Sequence, residues 1–298
     1  MKKTKTVNLT GKKIEEKVTV VKAKPAAAKA LAGKEDVKKM NEEIKAKKIV
    51  KEEKVEKKAE VKEKKTEGKK YQLSVGMKEL LAAGCHLGHK VSKTYPKARV
   101  NIYAARDGIE IFDLARTMKA LDKACNFIYK GIREGKEIVL VGTKRQAREI
   151  VRKVAMEVGV PYVTDRWLGG TITNWEQIRK DIRKLADLKD GLEKGKFIEN
   201  TKKEVLLIKK EVIRLEKIIG GLAGLDKLFE MVFVVDIGFE KTAVKEAGMR
   251  GVKTIALVDS DSDPTRVDFP IPANDDSAKS ITILVEEIGK AIKAGKEE

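Results

Sequence analysis

The sequence predicts a doubly wound α/β domain, a parallel sheet covered by helices on both faces. Three observations carry this reading. Several short runs, such as 137–141 and 231–235, are apolar at nearly every position, as strands buried on both sides must be. These runs alternate with amphipathic stretches of helical length, the order that builds βαβ units. The chain also has 298 residues, 42% of them hydrophobic, enough to bury a substantial core.

Residues 1–70 stand apart. They hold 24 lysines, no arginine, 12 acids and no aromatic residue, so they account for +12 of the formal net charge of +19. Such a composition buries too little apolar surface to offset its ordering entropy. The expectation is a disordered extension, or a fraying single helix over about 34–65. It serves either as a solvated tail or as a basic arm that skims RNA phosphates.

From Tyr71 the elements follow in order. Residues 77–83 read as a short helix. The runs 100–105 and 109–113 flank Arg106-Asp107-Gly108, a hairpin signal. A long amphipathic helix over 114–134 precedes the strand 137–141. A helix over 144–158 and a short strand at 161–163 come next. After an interruption the alternation resumes with a strand at 231–235, a helix at 240–249 and a strand at 253–258. A Pro-limited strand at 267–271 and a closing helix at 277–294 end the chain. The interruption carries two heptad seams. Trp175, Ile178, Ile182 and Leu185 are spaced 3-4-3, and Val205, Ile208, Val212, Leu215 and Ile219 continue the pattern. A Lys/Gly/Glu-rich loop at 189–200 joins them, which predicts an antiparallel helical hairpin. Gly220-Gly221 and Gly224 then turn the chain back to the sheet.

Composition narrows the function classes. The charge surplus points to a polyanion, nucleic acid or an anionic membrane. No apolar run reaches the ~18–20 residues of a membrane-spanning helix. Cys85 and Cys125, far apart and without a signal peptide before them, suggest a reducing cytoplasm. With His86 and His89 as the only histidines, acid–base catalysis would fall to carboxylates or lysines. Neither G-x-x-x-x-G-K-[ST] nor G-x-G-x-x-G occurs, so a nucleotide site lacks its usual loop.

Several motifs carry chemistry. Val141-Gly142-Thr143-Lys144-Arg145-Gln146-Ala147 lies at a strand-to-helix turn, where free N–H groups and the dipole favour an anion. Lys144, Arg145 and Arg148 are candidate phosphate contacts, and cations at this end of a helix imply something anionic nearby. The alternative is an ordinary exposed basic turn. Arg166-Trp167-Leu168-Gly169-Gly170 leads into Thr173-Asn174-Trp175 and holds both tryptophans of the chain. Arg166 and Trp167 could stack on a base or bind phosphate, or Trp167 could be core; Trp175, on the seam, reads as core. Lys90, Lys93, Lys97, Arg99 and Arg106 surround Tyr95-Pro96 in a loop that suits RNA phosphate and base contact. Cys85-His86-Leu87-Gly88-His89 resembles part of a zinc site but lacks a second ligand cluster, so no metal is expected. Asp259-Ser260-Asp261-Ser262-Asp263-Pro264 imitates a calcium loop and departs from it at Pro264 and Pro270; turn capping by Asp is the simpler reading.

Taken in order, these segments resemble the bacterial family of small ribosomal subunit protein two. The matching stretches are 83–89, 141–145, 166–170 with 173–175, Val234-Val235-Asp236, Val258-Asp259 with Ser262-Asp263-Pro264, and Ile271-Pro272-Ala273-Asn274-Asp275-Asp276. They span about 74–295. Thr94-Tyr95-Pro96-Lys97-Ala98 stands where the family commonly has Trp-Asn-Pro-Lys-Met, and the extension 1–70 has no counterpart. The resemblance implies a flavodoxin-like five-stranded parallel sheet of order 2-1-3-4-5 with a coiled-coil arm at about 173–220. It implies a cytoplasmic, non-enzymatic protein, without cofactor or small-molecule substrate. The implied partners are small-subunit ribosomal RNA, neighbouring ribosomal proteins and ribosomal protein one. Arg179, Lys180 and Arg183, on the arm opposite its seam, join the candidate RNA contacts. The rival reading is a nucleotide- or flavin-binding enzyme of flavodoxin type.

Overall fold

The computed structural model describes residues 70–197 and 200–297. The expectations for the extension therefore fall almost wholly outside the described residues. Five parallel strands form the main sheet: β4 (Ile138–Val141), β5 (Tyr162–Val163), β6 (Met231–Val235), β7 (Lys253–Val258) and β8 (Phe269–Pro272). Their spatial order is β5-β4-β6-β7-β8, which is 2-1-3-4-5 by order along the chain, as the resemblance implied. The all-apolar runs form the central strands because both faces are covered. Every residue of β4 and β6 is buried.

Alternation of side chains splits the core into two layers. Ile138, Leu140, Phe233, Val235, Ile255 and Leu257 face one layer. It is filled by α2 (Leu114–Arg133), α3 (Arg148–Val158) and α7 (Ala278–Glu297), through residues such as Leu121, Ile128, Val151, Leu284 and Ile288. Val139, Val141, Val232, Val234 and Val258 face the other layer. It holds α4 (Trp175–Glu193), α5 (Lys202–Ile219) and α6 (Lys241–Arg250). The segment before α1 (Met77–Ala82) is latched to α7 by the fully buried Glu287, which accepts hydrogen bonds from Tyr71 Oη (3.0 Å) and Ser74 N (2.7 Å).

Two details differ from the sequence reading. Helix α3 begins at Arg148 rather than at 144, because residues 144–147 form a tight turn closed by Ala147 N to Lys144 O at 2.8 Å. The predicted hairpin is present as β2 (Ile102–Arg106) and β3 (Ile109–Phe112), turning on Asp107 (φ +52°) and Gly108 (φ +77°). It gains a third strand, β1 (Leu87–Lys90), in the antiparallel order β1-β3-β2. Four residues that include Gly88 carry almost no strand signal of their own; pairing with β3 makes them a strand.

Helices α4 and α5 bury their seams. Ile178, Ile182 and Leu185 on α4 share a cluster with Val212 and Ile219 on α5. Lys184 reaches Glu211 at 3.4 Å, and Lys189 reaches Glu216 at 2.6 Å. Thr201 and Glu204 close a capping box at the start of α5. Trp175 packs edge-on against Phe229, with 6.4 Å between ring centroids.

The two glycine sites after α5 differ in kind. A β-carbon at Gly221 would overlap the Tyr162 carbonyl oxygen and crowd its ring, whereas one at Gly224 would meet open space. Gly221→Ala should therefore destabilise by about 1–3 kcal/mol, and Gly224→Ala should stay within about 0.5 kcal/mol of the parent. Denaturant titration of both variants checks this; equal effects would contradict the close approach at Gly221.

Candidate nucleic-acid interface

The carboxyl ends of the parallel strands converge on one ammonium. Lys144 follows β4, Asp236 follows β6, and Asp275 and Asp276 follow β8. Lys144 Nζ lies 3.0 Å from Asp236 Oδ2, 2.7 Å from Asp275 Oδ1 and 2.7 Å from Asp276 Oδ1. Asp236 takes a left-handed backbone (φ +68°), and its other oxygen caps the turn by accepting from Phe239 N at 3.0 Å. His89, on β1, joins the small sheet to this cluster. Its Nδ1 sits 3.1 Å from Asp259 and its Nε2 3.3 Å from Asp276. Buried Glu240 accepts hydrogen bonds from both the backbone N–H and the hydroxyl of Thr143.

Acids outnumber bases here. Five carboxylates (Asp236, Glu240, Asp259, Asp275 and Asp276) face one ammonium and one imidazole. Burial alone would pull Lys144 down, but Asp275, Asp276 and Asp236 hold it above the ordinary lysine range. Burial, then repulsion from Asp236 and Asp259, pushes Asp275 up to about 7 against the pull of Lys144. Burial likewise raises Asp259 and Glu240. Asp276, with Lys144 directly bonded, is lowered. The anion implied by the basic turn is thus supplied by the protein itself, and Lys144 is turned inward rather than toward solvent.

The neighbouring cations point outward. Arg145 and Arg166 are exposed. Arg148 is exposed too, and is braced by Nε to Thr143 O (2.8 Å) and Nη2 to Asp165 O (3.2 Å). Trp167 belongs with the core, at 7% exposure. Its loop is organised by Glu246 on α6, whose carboxylate accepts from Gly170 N (2.8 Å), Ile172 N (3.0 Å) and Thr173 N (3.2 Å). Burial would raise Glu246, yet these donors outweigh it and lower it. The indole N–H of Trp167 also approaches Glu246, at 3.5 Å.

The other predicted cations are exposed as well. Lys90, Lys93, Lys97, Arg99 and Arg106 lie on or beside the small sheet. Lys97 leans on Asp263 (3.4 Å) and Thr265 (3.0 Å). Arg179, Lys180 and Arg183 line the solvent side of α4. The calcium-like run caps turns, with Asp263 accepting from Thr265 N at 3.0 Å. The residues of the zinc-like run part company: Cys85 is buried beside Ser280, while His89 serves the acid cluster. Sequence reasoning missed Glu240 and Glu246. Each is one acid on or beside an amphipathic helix, and only its tertiary partners mark it out.

Two predictions follow from this geometry. Lys144→Met leaves three carboxylates facing one another, so it should cost about 3–5 kcal/mol, while Arg145→Met should stay within about 0.5 kcal/mol; denaturant unfolding compares them. The second concerns pH. His89 is raised, because Asp259, Asp261 and Asp276 outweigh its burial. Asp275, Asp259, Glu240 and His89 all hold protons more tightly folded than unfolded, so the folded state binds more protons near neutrality. Stability should fall as pH rises from about 6 to 8, through the value near 7 held by Asp275, and the raised His89 adds to the fall. His89→Gln should make that slope shallower. A thermal midpoint that stays flat or climbs over this range would refute the assignment.

The sequence matches the family model of Ribosomal protein S2 over residues 80–295. It is 42% identical over 222 residues to small ribosomal subunit protein uS2c of Mesostigma viride, covering 74% of this chain and 97% of that protein. It is also 42% identical over 216 residues to small ribosomal subunit protein uS2 of Cytophaga hutchinsonii, covering 72% and 85%. The uS2 protein of Roseiflexus sp. is 41% identical over 224 residues, covering 75% and 86%. On the family match and these identities together, the chain belongs to the ribosomal protein S2 family.

Proposed function

We propose that this protein is a structural constituent of the small ribosomal subunit, binding its RNA and neighbouring proteins in support of assembly and translation. The observation that carries this is where the charges sit. Seven acids of the domain are buried (Glu110, Asp236, Glu240, Glu246, Asp259, Asp275 and Glu287), while no lysine or arginine is buried among the described residues. Residues 71–298 hold 41 bases and 34 acids, so no more than 27 acids face outward against those bases. The mild surplus of the domain becomes a strong one at its surface, as a phosphate-binding protein requires.

In this reading Arg145, Arg148 and Arg166 contact phosphate beside the strand ends. Lys90, Lys93, Lys97, Arg99 and Arg106 do so on the small sheet. Arg179, Lys180 and Arg183 extend the contact along α4, which with α5 forms an antiparallel coiled-coil arm. Lys144 and Trp167 act as positioning residues, the first aligning the basic turn and the second anchoring the loop that presents Arg166. Ribosomal protein one remains the proposed protein partner, and the cytoplasm the proposed location. The rival enzyme reading loses its site: the turn after β4, where a nucleotide phosphate would sit in such a fold, is occupied by Glu240 and faces five carboxylates.

The test is binding to small subunits stripped of their own copy of this protein, at several salt concentrations. Reversing Arg145, Arg148 and Arg166 to Glu should weaken binding. It should also flatten the salt dependence by roughly 0.7–0.9 per lost phosphate contact. Unchanged affinity and slope would remove these residues from the interface, and no binding by the parent protein would refute the function.

A further inference from the structure

Strand β2 is an anomaly within a well-packed domain. Only Ile102 is even partly buried; Tyr103, Ala104, Ala105 and Arg106 are exposed. Tyr103 is 78% exposed, the highest value among the exposed large hydrophobic side chains of the described residues. A solvated strand at a sheet edge contributes little to a core, so this one is shaped for something outside the chain.

The register shows what surrounds it. Lys90, Ile109 and Arg106 form one row across β1, β3 and β2. The next row holds Ile111 and Ala104, two residues along β3 and β2, and Leu87, which a register shift in β1 brings opposite Ile111. The face therefore offers an apolar strip (Leu87 and Ile109 are 42% and 41% exposed) with a cation at either end of one row. Glu110, the acid of β3, is buried on the opposite side. Among the described residues the acid beside Arg106 is Asp107, 3.8 Å away and 91% exposed, a pairing too weak to hold the guanidinium. Between Ile102 and Ala104 the register shifts, so Tyr103 has no partner on β3 and forms a bulge, a feature that re-aims a side chain. The two-residue turn at Asp107-Gly108 fixes the hairpin that carries these groups.

We propose that an unpaired nucleotide of the small-subunit RNA stacks on the Tyr103 ring, with the adjoining phosphates held by Arg106 and Lys90. This rests on the ribosomal reading above and names a contact within it. An exposed ring on a strand that also carries an exposed cation is what base stacking uses. Addition of a protein strand to the β2 edge is the competing use. The bulge and the edge arginine oppose it, since both are devices that keep a strand edge from pairing.

The experiment uses the full chain and small subunits stripped of their own copy of this protein. Tyr103→Ala should weaken binding about tenfold, the loss of one stacked base, while Tyr103→Phe keeps the ring and should bind like the parent. Arg106→Gln should lower the salt dependence by about one phosphate contact and leave the thermal midpoint unchanged. Ultraviolet crosslinking should join the Tyr103 peptide to an RNA nucleotide. Equal binding by the Ala and Phe variants with no crosslink overturns the proposal, and so does a crosslink from Tyr103 to a ribosomal protein. If Tyr103→Ala fails to fold, the crosslink and the Arg106→Gln salt slope still decide the matter. Failure of the parent protein to bind would instead refute the ribosomal reading itself.

Discussion

Lys144 Nζ sits among three carboxylates from two other strand ends, and the architecture around the sheet follows from satisfying it. Its ammonium draws the end of β8 toward β4 across β6 and β7, because Asp275 and Asp276 must come within 2.7 Å of a residue that leaves β4. Asp276 then meets His89, and His89 meets Asp259 at the end of β7, so the small antiparallel sheet is tied to the parallel one. A lone buried ion pair is weak evidence of stability. Here the charges are also hydrogen-bonded to backbone, as when Asp259 accepts from Ser260 N at 2.5 Å. That makes the cluster a determinant of strand alignment.

The same cluster explains why a fold associated with nucleotide binding need not bind one. In open α/β sheets ligands sit beyond the carboxyl ends of the strands, near the point where strand order reverses. Here β4 and β6 flank that point, and the space beyond them is taken by Lys144, Asp236 and Glu240. The turn N–H that could have met a phosphate, that of Thr143, donates to Glu240. The cations next to it, Arg145 and Arg148, are left at the surface.

Much of the fold was legible because it rests on local patterns. Runs such as Ile138–Val141 can only be strands covered twice, and the heptad spacing of Ile178, Ile182 and Leu185 fixes which side of α4 is buried. Strand β1 was not legible, since Leu87–Lys90 becomes a strand only through β3. The candidate site was half legible. Arg145, Arg148 and Arg166 could be picked out by type and position. The inward turn of Lys144 could not, because its partners are 92 and 131 residues away in sequence. Trp167 was ambiguous for the same reason: Glu246, which organises its loop, lies 79 residues on.

Burying acids has an outward consequence that links the core to the surface. Each carboxylate taken inside and satisfied there, as Glu246 is by three backbone N–H groups and Glu287 by Tyr71 and Ser74, removes a negative charge from the face a polyanion would meet. Exposed lysines and arginines then act with fewer acids at the surface to screen them, and long-range attraction to phosphate grows although composition is unchanged. The exceptions support the point. Lys184 and Lys189 on α4 pair with Glu211 and Glu216 on α5, bridging the two helices at the surface. On the other side of α4, Arg179, Lys180 and Arg183 are exposed. One helix thus separates its cations, those paired with acids of the partner helix and those left to solvent.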